Sequence, residues 1–241
     1  MSLARRVQLI ATLEADLLWI IPFTKAFSTL SAEQFVRTIV HDRLHAECVV
    51  VGANFAFGRR RQGTPRLLRY LGGRYGYRVV SLPPVRRAGR PVSSSRIRQL
   101  VQSGDVGHAH QLLGRPVELT GTVVRGRGRG RTLGFPTANL RLTSPPLLPR
   151  GVYSVRLEAY GRRWPGVMNV GVRPTFSRPH RGGKPSPTIC EAHLANFHGT
   201  LYGREVAVSL LKRLRGERRF ASPKALTQQI RRDLARVLGH S

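Results

Sequence analysis

Residues 121–140 read GTVVRGRGRGRTLGFPTANL, and the fold of the chain turns on how they are parsed. A β-type run, Thr122-Val123-Val124, opens into alternating Gly and Arg and closes on Gly134-Phe135-Pro136-Thr137-Ala138-Asn139. Gly reaches positive φ without steric cost, so alternating Gly126, Gly128 and Gly130 allow successive backbone N–H groups to turn towards one anion. Arg129 and Arg131 add planar guanidinium forks that suit phosphate oxygens. Thr137 and Asn139, two residues apart, offer hard neutral oxygens of the kind Mg²⁺ accepts between a protein and nucleotide phosphates. A phosphate cradle beside a metal perch predicts a nucleoside-triphosphate site. Short Gly/Arg tracts also occur as RNA-binding low-complexity sequence. Generic nucleotide motifs do not decide between the two readings. No GxxxxGK[ST] occurs, and the residues three beyond Gly128 and Gly130 are Arg131 and Leu133, so GxGxxG is not met.

Outward from this stretch, the hydrophobic pattern from Val117 alternates with period two. Strands are predicted over 117–124, 137–142, 151–159, 163–172, 188–197 and 205–214, separated by Gly/Pro-rich turns such as 144–149 and 178–187. Short strands in such succession predict an antiparallel barrel. A last helix follows, with Ser222 as N-cap, Pro223 at its first position, and Leu226, Ile230, Leu234 and Val237 as its buried stripe.

Residues 1–110 follow a different rhythm. An amphipathic helix is predicted over 3–13, and a short buried strand over 16–22, DLLWIIP. Ser31 and Gln34 form a capping box for a helix over 32–42. Cys48-Val49-Val50-Val51 reads as a strand buried in a parallel sheet, 77–82 as another strand, and 93–101 as a helix behind a Ser-rich N-cap. Strand alternating with helix predicts a doubly wound sheet whose ligands lie at the carboxyl ends of the strands. The expected division is therefore 1–110, α/β, and 111–241, β-barrel with a C-terminal helix.

Composition bounds the partners. The formal charge is +29, which favours anionic ligands, yet only four of the 41 basic residues are lysine and the arginines are spread along the chain. That spread fits a genome-wide arginine bias better than a dedicated nucleic-acid surface, so nucleic acid is not the expected partner despite the charge. Cys48 and Cys190 are isolated, with no metal-binding spacing, and two cysteines make no disulfide framework. The apolar run 17–23 is too short for a membrane span and holds Pro22, so no membrane partner is expected and the cytoplasm is the expected compartment.

Acidic residues are scarce, twelve in all. A kinase acting on an alcohol wants one carboxylate to take the hydroxyl proton, a base worth on the order of 10²–10⁴ in rate. Glu191, in TICEAHL, is the best placed, on one strand face with Ile189 and His193. A strand glutamate paired with one of many arginines is the competing reading. Asp233 reads as a solvated helix position and Glu205 as a barrel-rim charge. His193 reads as an orienting partner of Glu191 or as a structural histidine.

Five motifs carry a resemblance. GRPVELTGTVVRGRGRGRTLGFPTANL, GVYSV, NVGVRPTF, EAHL with LYG, and LRGERRF before a QIRRD helix fall in this order over about 112–238, and together resemble the riboflavin kinase domain. Upstream, VVVGANFAFG (49–58) and VSSSRIR (92–98) are similar to the other module of the bacterial bifunctional riboflavin kinase/FMN adenylyltransferases, the FAD synthetases. The resemblance implies ATP and riboflavin as substrates, FMN as product and Mg²⁺ as cofactor, the γ-phosphoryl group passing to the terminal ribityl hydroxyl. It implies that Thr137 and Asn139 hold the metal with ATP, and that Gly126, Gly128, Arg129, Gly130 and Arg131 wrap the phosphates. Glu191 would be the general base beside the flavin, with Arg215, Glu217 and Phe220 closing over it. Asn54, Phe57, Ser94, Ser95 and Arg98 would be remnants of a Rossmann-like nucleotidyltransferase site. The family's GxFDGVHxGH-type segment has no counterpart here, and His41, His45, His108 and His110 do not reproduce its spacing, so FMN adenylyltransferase activity is expected to be lost. The family's DLYG reads Thr200-Leu201-Tyr202-Gly203, and its usual aspartate near 196 is Asn196. An Arg-rich nucleic-acid-binding protein and a catalytically dead flavin-binding regulator are the alternatives.

Overall fold

The computed structural model describes residues 2–126, 128–172 and 188–239, with the side chains of Arg129 and Val172 outside the description. Arg127, the RPTF end of NVGVRPTF and the turn expected at 178–187 thus lie outside the described residues. The chain divides into two compact units, one formed by Met1–Glu14 with Ser93–Ser241, the other by Ala15–Val92. Helix α1 (Leu3–Ala11) belongs to the first. Ser2 caps it by accepting the Arg5 N–H, and the Arg5 guanidinium grips Glu118 through Nε and Nη2 at 2.9 and 2.8 Å.

In the smaller unit, α2 (Lys25–Ser28) and α3 (Ala32–Phe35) precede a π-helical turn over Val36–His41, and the Ser31/Gln34 capping box forms as predicted. Strands β1 (Cys48–Gly52) and β2 (Arg78–Leu82) pair in parallel, joined through α4 (Pro65–Tyr75), and β3 (Arg86–Arg87) pairs with β4 (Arg90–Pro91). The core collects Val36, Val40, Phe57, Leu68, Leu71 and Tyr77. This is an α/β region, with two departures from expectation. Residues 16–22 form no strand, and Leu17 and Ile20 stand exposed. An apolar run becomes a strand only where a neighbour supplies a hydrogen-bond ladder, and among the described residues β1 and β2 pair only with each other. For the same reason β1 is not buried on both faces: Val49 and Val51 face the core while Val50 remains 58% exposed.

In the larger unit, Ser93 caps α5 (Ser94–Ser103) and Asp105 caps α6 (Val106–Leu113), each by accepting a backbone N–H of the first turn. A closed barrel follows: β5 (Val117–Val124), then a single helical turn α7 (Arg129–Thr132), β6 (Ala138–Leu142), β7 (Gly151–Ala159), β8 (Arg162–Val172), β9 (Thr188–Leu194) and β10 (Glu205–Arg215). The strands close in the order β10-β5-β6-β9-β8-β7, antiparallel throughout, as the period-two pattern predicted. Its interior holds Tyr153, Val155, Leu157, Met168, Cys190, Val208 and Leu210. Tyr153 donates its hydroxyl to the Pro149 carbonyl at 2.7 Å, and burial pushes the phenol above its ordinary range. Helix α6 packs on β5 and β10, so α5 and α6 cluster with the barrel in the larger unit.

Helix α8 (Pro223–Leu238) starts as predicted, with Ser222 as cap and Pro223 first. Of the expected stripe Val237 is buried, while Leu226, Ile230 and Leu234 are half-buried. Gln229, Asp233 and Val237 are the buried positions, and Asp233, expected to be solvated, is 1% exposed. Arg215 explains the burial: its Nε and Nη2 donate to Asp233 Oδ2 at 3.0 and 2.8 Å, and Gln229 Nε2 donates to Oδ1 at 2.9 Å. Removing one partner of a buried ion pair strands the other, at about 3–5 kcal/mol. Asp233→Ala is therefore expected to lower stability by about 3 kcal/mol in urea unfolding. Glu158→Ala, which breaks an exposed 3.7 Å pair with Arg163, should change it by less than about 1 kcal/mol.

Candidate active site

Cross-strand register assembles the polar site. Asn139 of β6 stands opposite Glu191 of β9, and Glu191 stands opposite Asn169 of β8. The row runs on through Val152 of β7 to Arg215 of β10, and on the other side to Val124 of β5. Directly opposed residues on one face keep their Cβ atoms about 5 Å apart. Because Leu140, Met168, Val170, Cys190 and Ala192 fill the barrel, strand alternation turns Asn139, Asn169 and Glu191 to its outer face. Glu191 is half-buried there.

His193 shares that face but does not bond Glu191. Its Nδ1 donates to the Pro136 carbonyl at 2.8 Å, and its ring meets Phe135 edge-on at 5.2 Å. It thus ties β9 to the segment carrying Thr137. On the other side of Glu191, Cys190 is fully buried, and burial pushes its thiol up to about 12, as befits a core side chain.

The Gly/Arg tract works differently from its simplest reading. Only Gly128 of Gly126, Gly128 and Gly130 takes a positive φ, +72°. The chain then folds into α7, where Arg131 N–H donates to the Gly128 carbonyl and Phe135 N–H to that of Gly130. Gly126 and Gly130 make room instead. A Cβ at 126 would strike the Asn139 carboxamide; one at 130 would strike the Phe135 carbonyl oxygen and lie 3.0 Å from Thr137 Oγ1. The two glycines therefore let the loop lie directly on Thr137 and Asn139. The Arg129 side chain lies outside the described residues.

Thr137 and Arg131 line a pocket of about 110 Å³ with Val123, Ala192, Leu201 and Tyr202. Its far wall, residues 197–202, was missed as a site element by sequence reasoning, although LYG marked it as a motif. Phe197 packs edge-on against Trp164 at 5.2 Å, and Arg125 lies 6.0 Å from the Tyr202 ring. In the loop after β10, Glu217 reaches the polar row: a Cβ at Gly171 would strike its Oε1. Arg215 is turned to Asp233, with its guanidinium 5.7 Å from the Phe220 ring. Asn169 and Gly171 escaped sequence reasoning although NVGVRPTF contains both.

The expected nucleotidyltransferase residues are not gathered in one unit. Asn54 lies in an exposed turn after β1, and Phe57 is buried in the smaller unit's core, stacked on Phe55 at 5.4 Å. Ser94, Ser95 and Arg98 are exposed on α5, in the larger unit. Ser94 and Arg98 line a cleft of about 520 Å³ with Val117, Leu119 and Leu147.

Fold and site together define a barrel enzyme domain in a chain that also carries an α/β segment, and two family models match successive parts of it. A family model described as riboflavin kinase matches residues 113–239, and one described as FAD synthetase matches residues 1–96. A bifunctional riboflavin kinase/FMN adenylyltransferase of Pseudomonas fluorescens is 37% identical over 235 residues, covering 98% of this chain and 74% of that protein. Its namesake from Bacillus subtilis (strain 168) is 35% identical, over 95% of this chain and 71% of that protein. A solved structure described as a macrolide-efflux protein from Streptococcus pneumoniae superposes with a TM-score of 0.86 at 31% identity, over 98% of this chain and 74% of that one. The chain belongs to the bifunctional riboflavin kinase/FMN adenylyltransferase family. Among the described residues no helix is long and apolar enough to cross a membrane.

Two outcomes follow from the packing. Gly126→Ala should displace Asn139 and weaken Mg-ATP binding at least tenfold in calorimetric titration, with a native circular dichroism spectrum. A thiol reagent at pH 8 should label exposed Cys48 quickly and Cys190 only after unfolding.

Proposed function

We propose that the chain phosphorylates riboflavin, with Glu191 as general base and Thr137, Asn139 and the Gly126–Gly130 loop as the nucleotide side of the site. The observation that carries this reading is the register-locked row Asn139–Glu191–Asn169, which sets the Cβ atoms of half-buried Glu191 and of Asn139, a neutral oxygen ligand, about 5 Å apart. The 5′-hydroxyl oxygen of riboflavin bonds to the γ-phosphorus, the bond from that phosphorus to the β–γ bridging oxygen breaks, the hydroxyl proton passes to Glu191, and ADP leaves. Phosphoryl transfer asks the protein chiefly to position groups and neutralise charge.

The residues present fit a magnesium ion: two hard neutral oxygen donors, Thr137 and Asn139, are packed against glycines whose replacement by any larger residue would fill the space beside them. Mg²⁺ held by Thr137 and Asn139 would neutralise phosphate charge. Arg131, on the wall of the same pocket, adds a cation for the phosphates. The presence of Glu191, Thr137 and Asn139 in one cluster speaks against a catalytically dead flavin binder.

FMN adenylyl transfer is a separate matter, and we infer that these 241 residues do not by themselves make FAD. The parallel sheet of the smaller unit has two strands among the described residues, with Val50, Val80 and Leu82 exposed on it. Phe57 is committed to the smaller unit's core.

Incubation with riboflavin and Mg-ATP, followed by chromatography, should yield FMN. Glu191→Gln should lower its formation by about 10²-fold or more; near-normal turnover would remove Glu191 from the base role. FMN with Mg-ATP should give no FAD, and appreciable FAD would overturn the second inference.

A further inference from the structure

Asn169 and Gly171 lie two residues apart on the outer face of β8. Asn169 is the direct cross-strand neighbour of Glu191, so the Glu191 carboxylate stands between two carboxamides, Asn139 on β6 and Asn169 on β8. Asn139 faces the Gly/Arg loop, since the missing Cβ of Gly126 makes room for it. Asn169 faces the opposite way along the row, towards the loop that carries Glu217. A Cβ at the buried Gly171 would strike Glu217 Oε1 and would come within 3.2 Å of both Glu217 Cδ and Asn169 Nδ2. The Glu217 carboxylate and the Asn169 amide therefore share the space that a side chain at 171 would take. Two carboxylates, which only accept hydrogen bonds when ionised, flank an amide that both donates and accepts.

That alternation complements a chain of adjacent hydroxyls, each of which donates one hydrogen bond and accepts others. We propose that Asn169, Glu217 and the bare backbone of Gly171 form a polyol-reading subsite, which holds the inner hydroxyls of the acceptor while its terminal hydroxyl meets Glu191. The proposal deepens the kinase reading and rests on it for the identity of the acceptor. Gly171 acts as a positioning residue, because it admits the Glu217 carboxylate. Asn169 and Glu217 touch the substrate. Asn169 is half-buried and Glu217 exposed, so the subsite discriminates through the hydrogen bonds that the polyol hydroxyls complete and an analogue without them cannot make.

Binding separates this idea from turnover. Flavin fluorescence titrations should show riboflavin binding at least tenfold tighter than lumiflavin, which carries the same ring system without the polyol. Asn169→Ala should cut that preference to threefold or less and leave lumiflavin affinity unchanged. Gly171→Ala should raise the riboflavin KM about tenfold with the Mg-ATP KM unaltered. Wild-type preference for riboflavin without FMN formation would support this subsite and overturn the kinase reading. Equal affinity of the wild type for the two flavins would overturn the subsite, as would a folded Asn169→Ala protein that keeps the wild-type preference.

Discussion

The site depends on antiparallel register between β6, β9 and β8. Asn139, Glu191 and Asn169 are far apart in sequence, yet each is the direct partner of the next across the ladder. A slip of one residue in any of these strands would turn its polar residue into the barrel and its apolar neighbour out. The interior guards against such a slip. Leu140, Cys190, Ala192, Met168 and Val170 fill the barrel, and a shifted strand would replace them with an amide or a carboxylate in an apolar interior. The packing that stabilises the barrel thus also fixes the chemistry on its outside.

Close backbone approach is the second device. Gly126, Gly130 and Gly171 each stand where a side chain would collide with a polar group of the site: Asn139, Thr137 with the Phe135 carbonyl, and Glu217, respectively. The Gly/Arg tract consequently acts less as a flexible strap than as a thin layer laid on two oxygen-bearing side chains. His193 reinforces the arrangement from below by holding the Pro136 carbonyl. The same histidine illustrates how a polar residue on the functional face can serve the scaffold.

A buried electrostatic anchor supports the wall formed by the loop after β10. Arg215 ends that strand, Asp233 and Gln229 come from α8, and the cluster satisfies the carboxylate on both oxygens. The loop bearing Glu217 and Phe220 is strung between these fixed ends. The overall charge of +29 is compatible with this arrangement because so few carboxylates exist that each described acid in the barrel unit has a distinct place, from the Arg5 pair of Glu118 to the half-buried Glu191.

Sequence alone determined the barrel strands nearly residue by residue, because a closed sheet with a packed interior enforces strict alternation, which is a local property. It also determined the helix caps, such as Ser31, Ser93 and Ser222, whose side chains bond the backbone three residues on. Glu191, Thr137 and Asn139 were legible as oxygen-bearing residues in a telling motif. Only tertiary structure decided that Asn169 and Gly171 share their site, that Asp233 is buried by Arg215, and that Gly126 and Gly130 are needed for space. Register and close approach are relations between distant segments, invisible to any local pattern. The apolar run at 16–22 marks the converse: it carries strand chemistry, but a strand exists only where another strand completes its hydrogen bonds.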